Sequence, residues 1–134
     1  MDTKQLADRF IGCLHRLEGG GAAEVDALTA LFADDAEITN PQLRRRGDEA
    51  KGPAGVQAFW QNYRASFRDI VSEFDAVTAA ENAAGLFWRS QGTDAQGRAV
   101  DYCGATMLMF DAKGRIRAFR GYFDSRELEP PAAS

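Results

Sequence analysis

The sequence is poor in the residues that bind metals or form disulfides. Its 134 residues include one histidine and two cysteines. A single histidine excludes a multi-histidine metal site, and Cys13 and Cys103 lack the paired spacing of a metal-ligand set. We therefore expect no metal and no other cofactor. We expect both cysteines to be free, buried thiols in a reducing compartment.

Long apolar runs and an excess of positive charge are also missing. No segment approaches the roughly 20 apolar residues of a membrane-spanning helix, and the polar first residues do not resemble a signal peptide. The 16 lysines and arginines are outnumbered by 20 aspartates and glutamates, which gives a formal net charge of -4. This balance argues against nucleic acid or an anionic membrane as a partner. We expect a cytoplasmic location.

The length and composition favour one globular domain. Hydrophobic residues make up 45% of the chain and charged residues 27%, and a chain of this length buries a core without disulfides. The sequence predicts a domain over residues 1–128. Residues 129–134 include Pro130 and Pro131 and are predicted to form a disordered tail.

The first half of the chain is predicted to be helical. Asp2 can cap a first helix that is ended by the run Gly19-Gly20-Gly21, because glycine favours the C-terminal end of a helix. A short second helix is expected to end at Asp34, followed by a short strand and by a polar loop over residues 41–52. Pro53 then opens a third helix. The large apolar residues of its stripe are Val56, Phe59, Trp60, Tyr63 and Phe67.

The second half has the alternating pattern and the turn residues of consecutive β-strands. Short connections make neighbouring strands antiparallel. Helices followed by an antiparallel meander indicate an α+β fold, in which a curved antiparallel sheet wraps around the N-terminal helices as a cone with an apolar pocket at its wide end. The predicted strands are Ile70–Ala80, Gly85–Thr93, Ala99–Phe110 and Ile116–Asp124.

Two segments resemble a known superfamily. The sequence LFADDAEITNP, from Leu31 to Pro41, resembles the helix-to-strand corner of nuclear transport factor 2-like proteins, and FRGYFDSREL, from Phe119 to Leu128, resembles their C-terminal end. The resemblance covers essentially the whole chain in the order and length of its elements. It implies the α+β barrel of that superfamily and, within it, a SnoaL-like protein. Members include ketosteroid isomerases, limonene-epoxide-hydrolase-like enzymes, polyketide cyclases and non-catalytic binding domains.

The resemblance locates the positions at which ketosteroid isomerases carry a tyrosine, a carboxylate base and an acid. The matching residues here are Phe10, Asn40 and Thr106. Phenylalanine cannot donate a hydrogen bond, an amide is not a base at neutral pH, and threonine replaces an acid poorly. We therefore do not expect this isomerase activity.

The epoxide-hydrolase pattern is also incomplete. Asn40 and Arg89 resemble its asparagine and arginine, but both carboxylates are missing. Ile38, Gln91 and Gly121 stand at the other positions. SnoaL-like cyclases likewise depend on an inward carboxylate of the late strands, where Gly121 offers no side chain. Without a base to activate water, hydrolysis is not expected, and no catalytic residue is assigned.

Arg89 can be interpreted in two ways. Strand alternation places it on one face with Phe87 and Gln91, and if this face points inward, a buried guanidinium must be paired. It then either anchors a carboxylate, enolate or phenolate of a ligand, or forms an internal ion pair. The acidic residues considered for that ion pair are Glu37, Asp75, Asp101 and Asp124.

The predicted ligand-binding site gathers the polar and aromatic residues expected in the pocket. Trp60 and Tyr63 either line the pocket or belong to the hydrophobic core, since both follow the apolar spacing of a helix. The complete predicted site comprises Asn40, Trp60, Tyr63, Arg89, Gln91, Thr106 and Gly121.

Two hypotheses for the function follow. The first is a pocket for a small hydrophobic ligand, such as a polyketide-, terpene- or steroid-like molecule, with isomerase- or cyclase-type proton transfer. The second is a non-catalytic binding or interaction module with a degenerate active site. The resemblance also implies a homodimer through the outer face of the sheet. The residues predicted to lie on exposed strand faces, under one register or the other, are Tyr102, Met107, Met109, Arg120 and Tyr122.

Overall fold

The computed structural model describes residues 2–128. The predicted tail at residues 129–134 lies outside this range. The described part contains four α-helices and two 3-10 turns, one at Ala22–Glu24 between the first two helices and one at Ser125–Glu127 after the last strand. No helix of residues 2–128 has the length and hydropathy required to cross a membrane. The helices are α1 (Thr3–Gly19), α2 (Val25–Thr29), α3 (Pro41–Arg45) and α4 (Gly52–Ala65).

Six strands of the described chain form one curved, mixed sheet. Their order is β2-β1-β6-β5-β4-β3, so the sheet has two edges and is not a closed barrel. The meander of β3 to β6 is antiparallel, as predicted, whereas β1 runs parallel to β6. A parallel pair needs a long connection, and here the segment from α3 to β5 provides it. The strands are β1 (Phe32–Thr39), β2 (Ala50–Lys51), β3 (Phe67–Ala79), β4 (Ala83–Asp94), β5 (Ala99–Phe110) and β6 (Ile116–Phe123).

The predicted start and end of α1 are confirmed. The side chain of Asp2 accepts a hydrogen bond from Gln5 N at 2.8 Å, and Gln5 Oε1 accepts one from Asp2 N at 3.2 Å, which completes a capping box. The helix ends at Gly19. These bonds satisfy backbone groups that would otherwise have no partner at the helix terminus.

The segment between α1 and α4 differs from its prediction. The second helix ends at Thr29, and β1 already begins at Phe32. Asp34 therefore lies inside a strand, at an irregularity in the pairing with β6 that leaves its side chain exposed. The predicted polar loop contains α3, which forms because Asn40 caps it by accepting a hydrogen bond from Leu43 N at 2.8 Å.

Two other side chains lie elsewhere than predicted. Cys103 was expected to be buried, but it is exposed on the outer face, where it stands opposite Arg89 of the neighbouring strand β4. Tyr102, its neighbour, points to the inner face and is buried. Strand side chains alternate between faces, so the two corrections have one cause.

The main hydrophobic core lies between the helices and the inner face of the sheet. Helix α1 packs on β3, and α4 packs on β1. The rings of Phe10, Trp60 and Phe119 contact one another in tilted or edge-on geometry, with centroids 5.5 to 6.0 Å apart. Contacts of this kind favour aromatic pairs beyond the burial of their area. The helices thus cover one part of the inner face and leave another part as a cavity.

Candidate functional site

A cavity of about 1140 Å³ lies between the inner face of the sheet and helices α1 and α4. Its wall is formed by buried aromatic and aliphatic side chains, together with a few hydroxyl groups. Its rim is charged and exposed, with Arg46, Asp48 and Arg98 among the lining residues. This volume lies slightly above the roughly 300 to 1,000 Å³ of small-molecule sites.

Five of the seven predicted ligand-binding residues line this cavity. They are Asn40, which caps α3, Trp60 and Tyr63 of α4, Thr106 of β5 and Gly121 of β6. Asn40, Trp60, Thr106 and Gly121 are buried, and Tyr63 is partly buried. Trp60 and Tyr63 also pack against the core, so both interpretations of these residues apply.

Arg89 and Gln91 do not line the cavity, because the predicted inward face of β4 is wrong. Leu86, Trp88 and Ser90 point inward, while Arg89 and Gln91 are exposed on the outer face. A shift of one residue moves every side chain of a strand to the other face. Each residue of this strand is therefore on the face opposite to the one predicted.

On that outer face, Arg89 forms an ion pair with Asp101 of β5. Its Nε and Nη2 atoms donate to the two carboxylate oxygens at 2.9 and 2.6 Å. Hydrogen bonding by Arg89 lowers the pKa of Asp101 from its usual value. Asp101 was among the partners considered, but the pair is exposed to solvent rather than internal.

Gly121 leaves an open position in the cavity wall. A methyl group at this residue would lie 3.4 Å from Asn40 Cβ and 3.6 Å from Phe119 Cε1, which is ordinary van der Waals contact. Longer side chains at this position would extend into the cavity that Gly121 lines. The residue thus contributes space, as predicted, rather than a chemical group.

A buried carboxylate that the sequence did not reveal lies behind the cavity wall. Glu18, near the end of α1, is only 5% exposed. Its Oε1 atom accepts a hydrogen bond from Ser72 N at 2.9 Å, and its Oε2 atom accepts bonds from Ser72 Oγ and Tyr63 Oη, both at 2.6 Å. All three donors are neutral groups. Buried charges are costly unless they are hydrogen-bonded, and these three bonds meet that requirement.

A row of hydroxyl groups connects Glu18 to the cavity. Ser72 Oγ lies 2.6 Å from Ser90 Oγ, its partner on β4. Ser90 in turn stands opposite Tyr102 on β5 and hydrogen-bonds with it. Tyr63, Ser72, Ser90 and Tyr102 all line the cavity. We call Glu18 and these four residues the Glu18 network.

The two tyrosines of the Glu18 network retain their protons at neutral pH. Burial, followed by the charge of Glu18, raises the pKa of Tyr63 well above its usual value of 10.0. Burial is also the main cause of the raised pKa of Tyr102, and Glu18 again adds to it. Both hydroxyls therefore remain hydrogen-bond donors.

One sequence signal could have located Glu18. It follows Leu14 by four residues and therefore lies on the apolar stripe of α1. A carboxylate at a core position of a helix must be satisfied by partners. The partners Ser72 and Ser90 required the register of β3 and β4, which local sequence does not provide.

Comparison with known proteins agrees with this architecture. The family model of the SnoaL-like domain matches residues 14–119. The chain belongs to the SnoaL-like domain family. The predicted membership of this superfamily is therefore confirmed. No curated protein is similar enough in sequence to be matched to this SnoaL-like chain.

Solved structures share the fold of this SnoaL-like domain at low sequence identity. A nuclear transport factor 2-like protein of unknown function from Burkholderia pseudomallei has a TM-score of 0.78 at 19% identity, with 93% of this chain and 92% of that chain covered. SalBIII, an epoxide hydrolase/cyclase-like enzyme in pyran ring formation of the polyether salinomycin, has a TM-score of 0.75 at 14% identity, with 94% and 95% covered. A candidate isomerase from Rhodopseudomonas palustris has a TM-score of 0.75 at 22% identity, with 92% of each chain covered. At these identities the similarity establishes the fold alone.

Proposed function

We propose that the cavity binds a small, largely hydrophobic molecule that has one polar end. A polyketide-, terpene- or steroid-like ligand fits this description. The observation that carries the proposal is the composition of the wall, in which aromatic and aliphatic side chains surround one cluster of hydroxyls. The apolar body of a ligand would contact the rings, and its polar group would meet the hydroxyls.

The chemistry that this site supports best is proton transfer of the isomerase or cyclase type. Glu18 provides a buried carboxylate next to the cavity, although not at the positions that the superfamily resemblance indicated. General acid–base catalysis needs such a group within hydrogen-bond reach or connected through an intermediary. Two structural neighbours are described as a cyclase-like enzyme and as a candidate isomerase, which is compatible with this class.

A non-catalytic binding module is the second candidate function. By the superfamily resemblance, Ile38, Gln91 and Gly121 stand at the remaining positions of the hydrolase pattern, and none of them carries a carboxylate. A ligand could therefore be held in the cavity without being converted. Turnover separates the two functions, since both require binding.

We also propose a homodimer through the outer face of the sheet. This face exposes Phe87 and Tyr122, which are 45% and 43% accessible. Exposed apolar side chains of this size often mark a surface that contacts a partner. Size-exclusion chromatography with light scattering tests the proposal, and a mass of one chain at micromolar concentration would contradict it.

Ligand binding can be tested by filling the cavity. In Gly121→Leu, the new side chain extends into the space that a ligand would occupy. The matched control is Gly12→Leu, because Gly12 lies on α1 and a methyl group there meets only Arg16 Nη1, at 3.8 Å. The probe is anilinonaphthalene sulfonate, whose fluorescence rises in apolar sites.

We expect the unmodified protein and Gly12→Leu to bind the probe and Gly121→Leu to lose at least about tenfold in affinity, equivalent to about 1.4 kcal/mol. Circular dichroism establishes that both variants fold. Equal binding by a folded Gly121→Leu would contradict the proposal that the cavity is the binding site.

A further inference from the structure

We propose that Glu18 is the terminal acceptor of a proton that a bound ligand gives up, and that the proton reaches it through Ser90 and Ser72. The proposal rests on the proposed function, because it requires a ligand in the cavity. Glu18 itself does not line the cavity, whereas both serines do. It would therefore act on the ligand through other residues.

The distances in this chain of groups are short enough for proton transfer. Ser72 Oγ lies 2.6 Å from Glu18 Oε2 and 2.6 Å from Ser90 Oγ. Hydrogen bonds of a hydroxyl to a carboxylate are typically 2.5 to 2.7 Å long. All three side chains are at most 5% exposed, so solvent does not compete for these bonds.

The direction of the hydrogen bonds follows from counting protons. A serine hydroxyl has one proton to donate and two lone pairs. Ser72 donates its proton to Glu18, so the proton between the two serines must come from Ser90. The proton of Ser90 is then engaged, so Tyr102 donates to one lone pair of Ser90, and the second lone pair can accept a hydrogen bond from the cavity. When Glu18 is ionised, Ser90 Oγ, at the cavity-side end of these hydrogen bonds, is thus an acceptor.

The transfer balances without another reactant. A C–H or O–H bond of the ligand breaks, and its proton binds Ser90 Oγ. The proton that Ser90 held moves to Ser72 Oγ, and the proton of Ser72 moves to Glu18 Oε2. The electron pair of the broken bond stays on the ligand. One negative charge has therefore moved from Glu18 to the ligand, which becomes an enolate or a phenolate.

The same transfer reverses the hydrogen bonds of the chain. Protonated Glu18 now donates to Ser72, Ser72 donates to Ser90, and Ser90 donates toward the cavity. A phenolate consequently receives a hydrogen bond at the oxygen on which its charge has developed, which stabilises it; with a C–H acid, the Ser90 hydroxyl faces the carbon that lost the proton. This device fits a ligand that has an acidic proton beside a carbonyl group or on a phenol.

Tyr63 has a different part in this arrangement. It donates to Glu18 Oε2 at 2.6 Å, and burial keeps its own pKa high, so it retains its proton. It is a positioning residue that holds the carboxylate toward Ser72. The two tyrosines do not need to ionise at any stage.

The test uses p-nitrophenol, whose neutral and ionised forms absorb at different wavelengths. The pH is set one unit below the pKa of the free probe, at which about one tenth of the free probe is ionised. The variants are Glu18→Gln, which removes the acceptor with little change of shape, and Ser90→Ala, which breaks the chain on the cavity side. Glu73→Gln on the exposed face of β3 is the control for loss of one carboxylate.

We expect the bound probe to be ionised to a larger extent than the free probe in the unmodified protein and in Glu73→Gln. In Glu18→Gln and Ser90→Ala, the probe should still bind, but no more than about a tenth of it should be ionised. Ser90→Ala leaves all hydrogen bonds of Glu18 intact, so it remains informative if Glu18→Gln does not fold.

Two results would overturn the proposal, and they have different meanings. Bound probe that stays neutral in the unmodified protein, or that ionises equally in the folded variants, would contradict the relay while leaving ligand binding intact. Failure of the unmodified protein to bind p-nitrophenol at millimolar concentration would contradict the small-molecule site on which the relay rests.

Discussion

Replacing Tyr63 with phenylalanine removes one hydroxyl and keeps the aromatic ring in place. The lost group donates a 2.6 Å hydrogen bond to Glu18 Oε2. Hydrogen bonds to charged groups contribute about 1.5 to 3 kcal/mol. Glu18 retains its two bonds from Ser72, so the carboxylate is not left without partners. We therefore expect the free energy of unfolding to fall by about 2 kcal/mol.

Urea denaturation followed by circular dichroism measures this loss. The urea concentration at the midpoint of unfolding should fall. The dependence of the free energy of unfolding on urea concentration should stay constant, since the surface exposed on unfolding hardly changes. The melting temperature should fall by about 4 to 10 °C. The matched control is Tyr122→Phe, because Tyr122 lies on the outer face and is 43% exposed. A loss of less than about 0.5 kcal/mol in Tyr63→Phe would refute the account of a buried carboxylate held by hydroxyl donors.

Three further predictions concern the remaining structure. First, stability should fall above pH 10, because Tyr63 and Tyr102 have raised pKa values when folded and the unfolded chain loses these protons first. The free energy of unfolding should fall by about 1.4 kcal/mol per pH unit for each tyrosine. Tyr63→Phe should halve this slope in urea titrations, and an unchanged slope would contradict the raised pKa of Tyr63. Second, Arg89→Ala should bind the fluorescent probe like the unmodified protein, because its side chain is on the outer face; lost binding in the folded variant would show that this placement is wrong. Third, a methyl group at Gly92 would overlap the backbone carbonyl oxygen of Asp69 on β3, so Gly92→Ala should lower the free energy of unfolding by at least about 2 kcal/mol. Gly21→Ala is the control, because a methyl group there meets nothing within 4 Å, and its free energy of unfolding should stay within about 1 kcal/mol of the unmodified protein.

Much of the fold could be predicted because local signals agree with it. The capping box at Asp2 fixed the start of α1, and turn residues bounded β5, whose predicted range Ala99–Phe110 matches the structure. The second helix was predicted to end at Asp34 because two consecutive aspartates are typical of helix ends. Here the pairing of β1 with β6, a contact between distant parts of the chain, overrides that local preference.

The candidate site was predicted less completely, for two physical reasons. The alternation of β4 permits either face to point inward, and only its pairing with β3 and β5 selects the face of Ser90 over that of Arg89. The role of Glu18 depends on Ser72, 54 residues away. Hydrogen bonds over such separations leave little trace in the local sequence, whereas the stripe position of Glu18 on α1 was visible.

Native mass spectrometry of the freshly purified protein shows whether the cavity holds a small molecule, because it reports assembly and bound small molecules together. The account predicts a dimer that carries an added mass, either co-purified or acquired from p-nitrophenol, and loss of that mass in Gly121→Leu. A protein that shows no added mass under conditions that preserve weak complexes, or the same added mass in Gly121→Leu, would contradict the claim that this cavity is a small-molecule site.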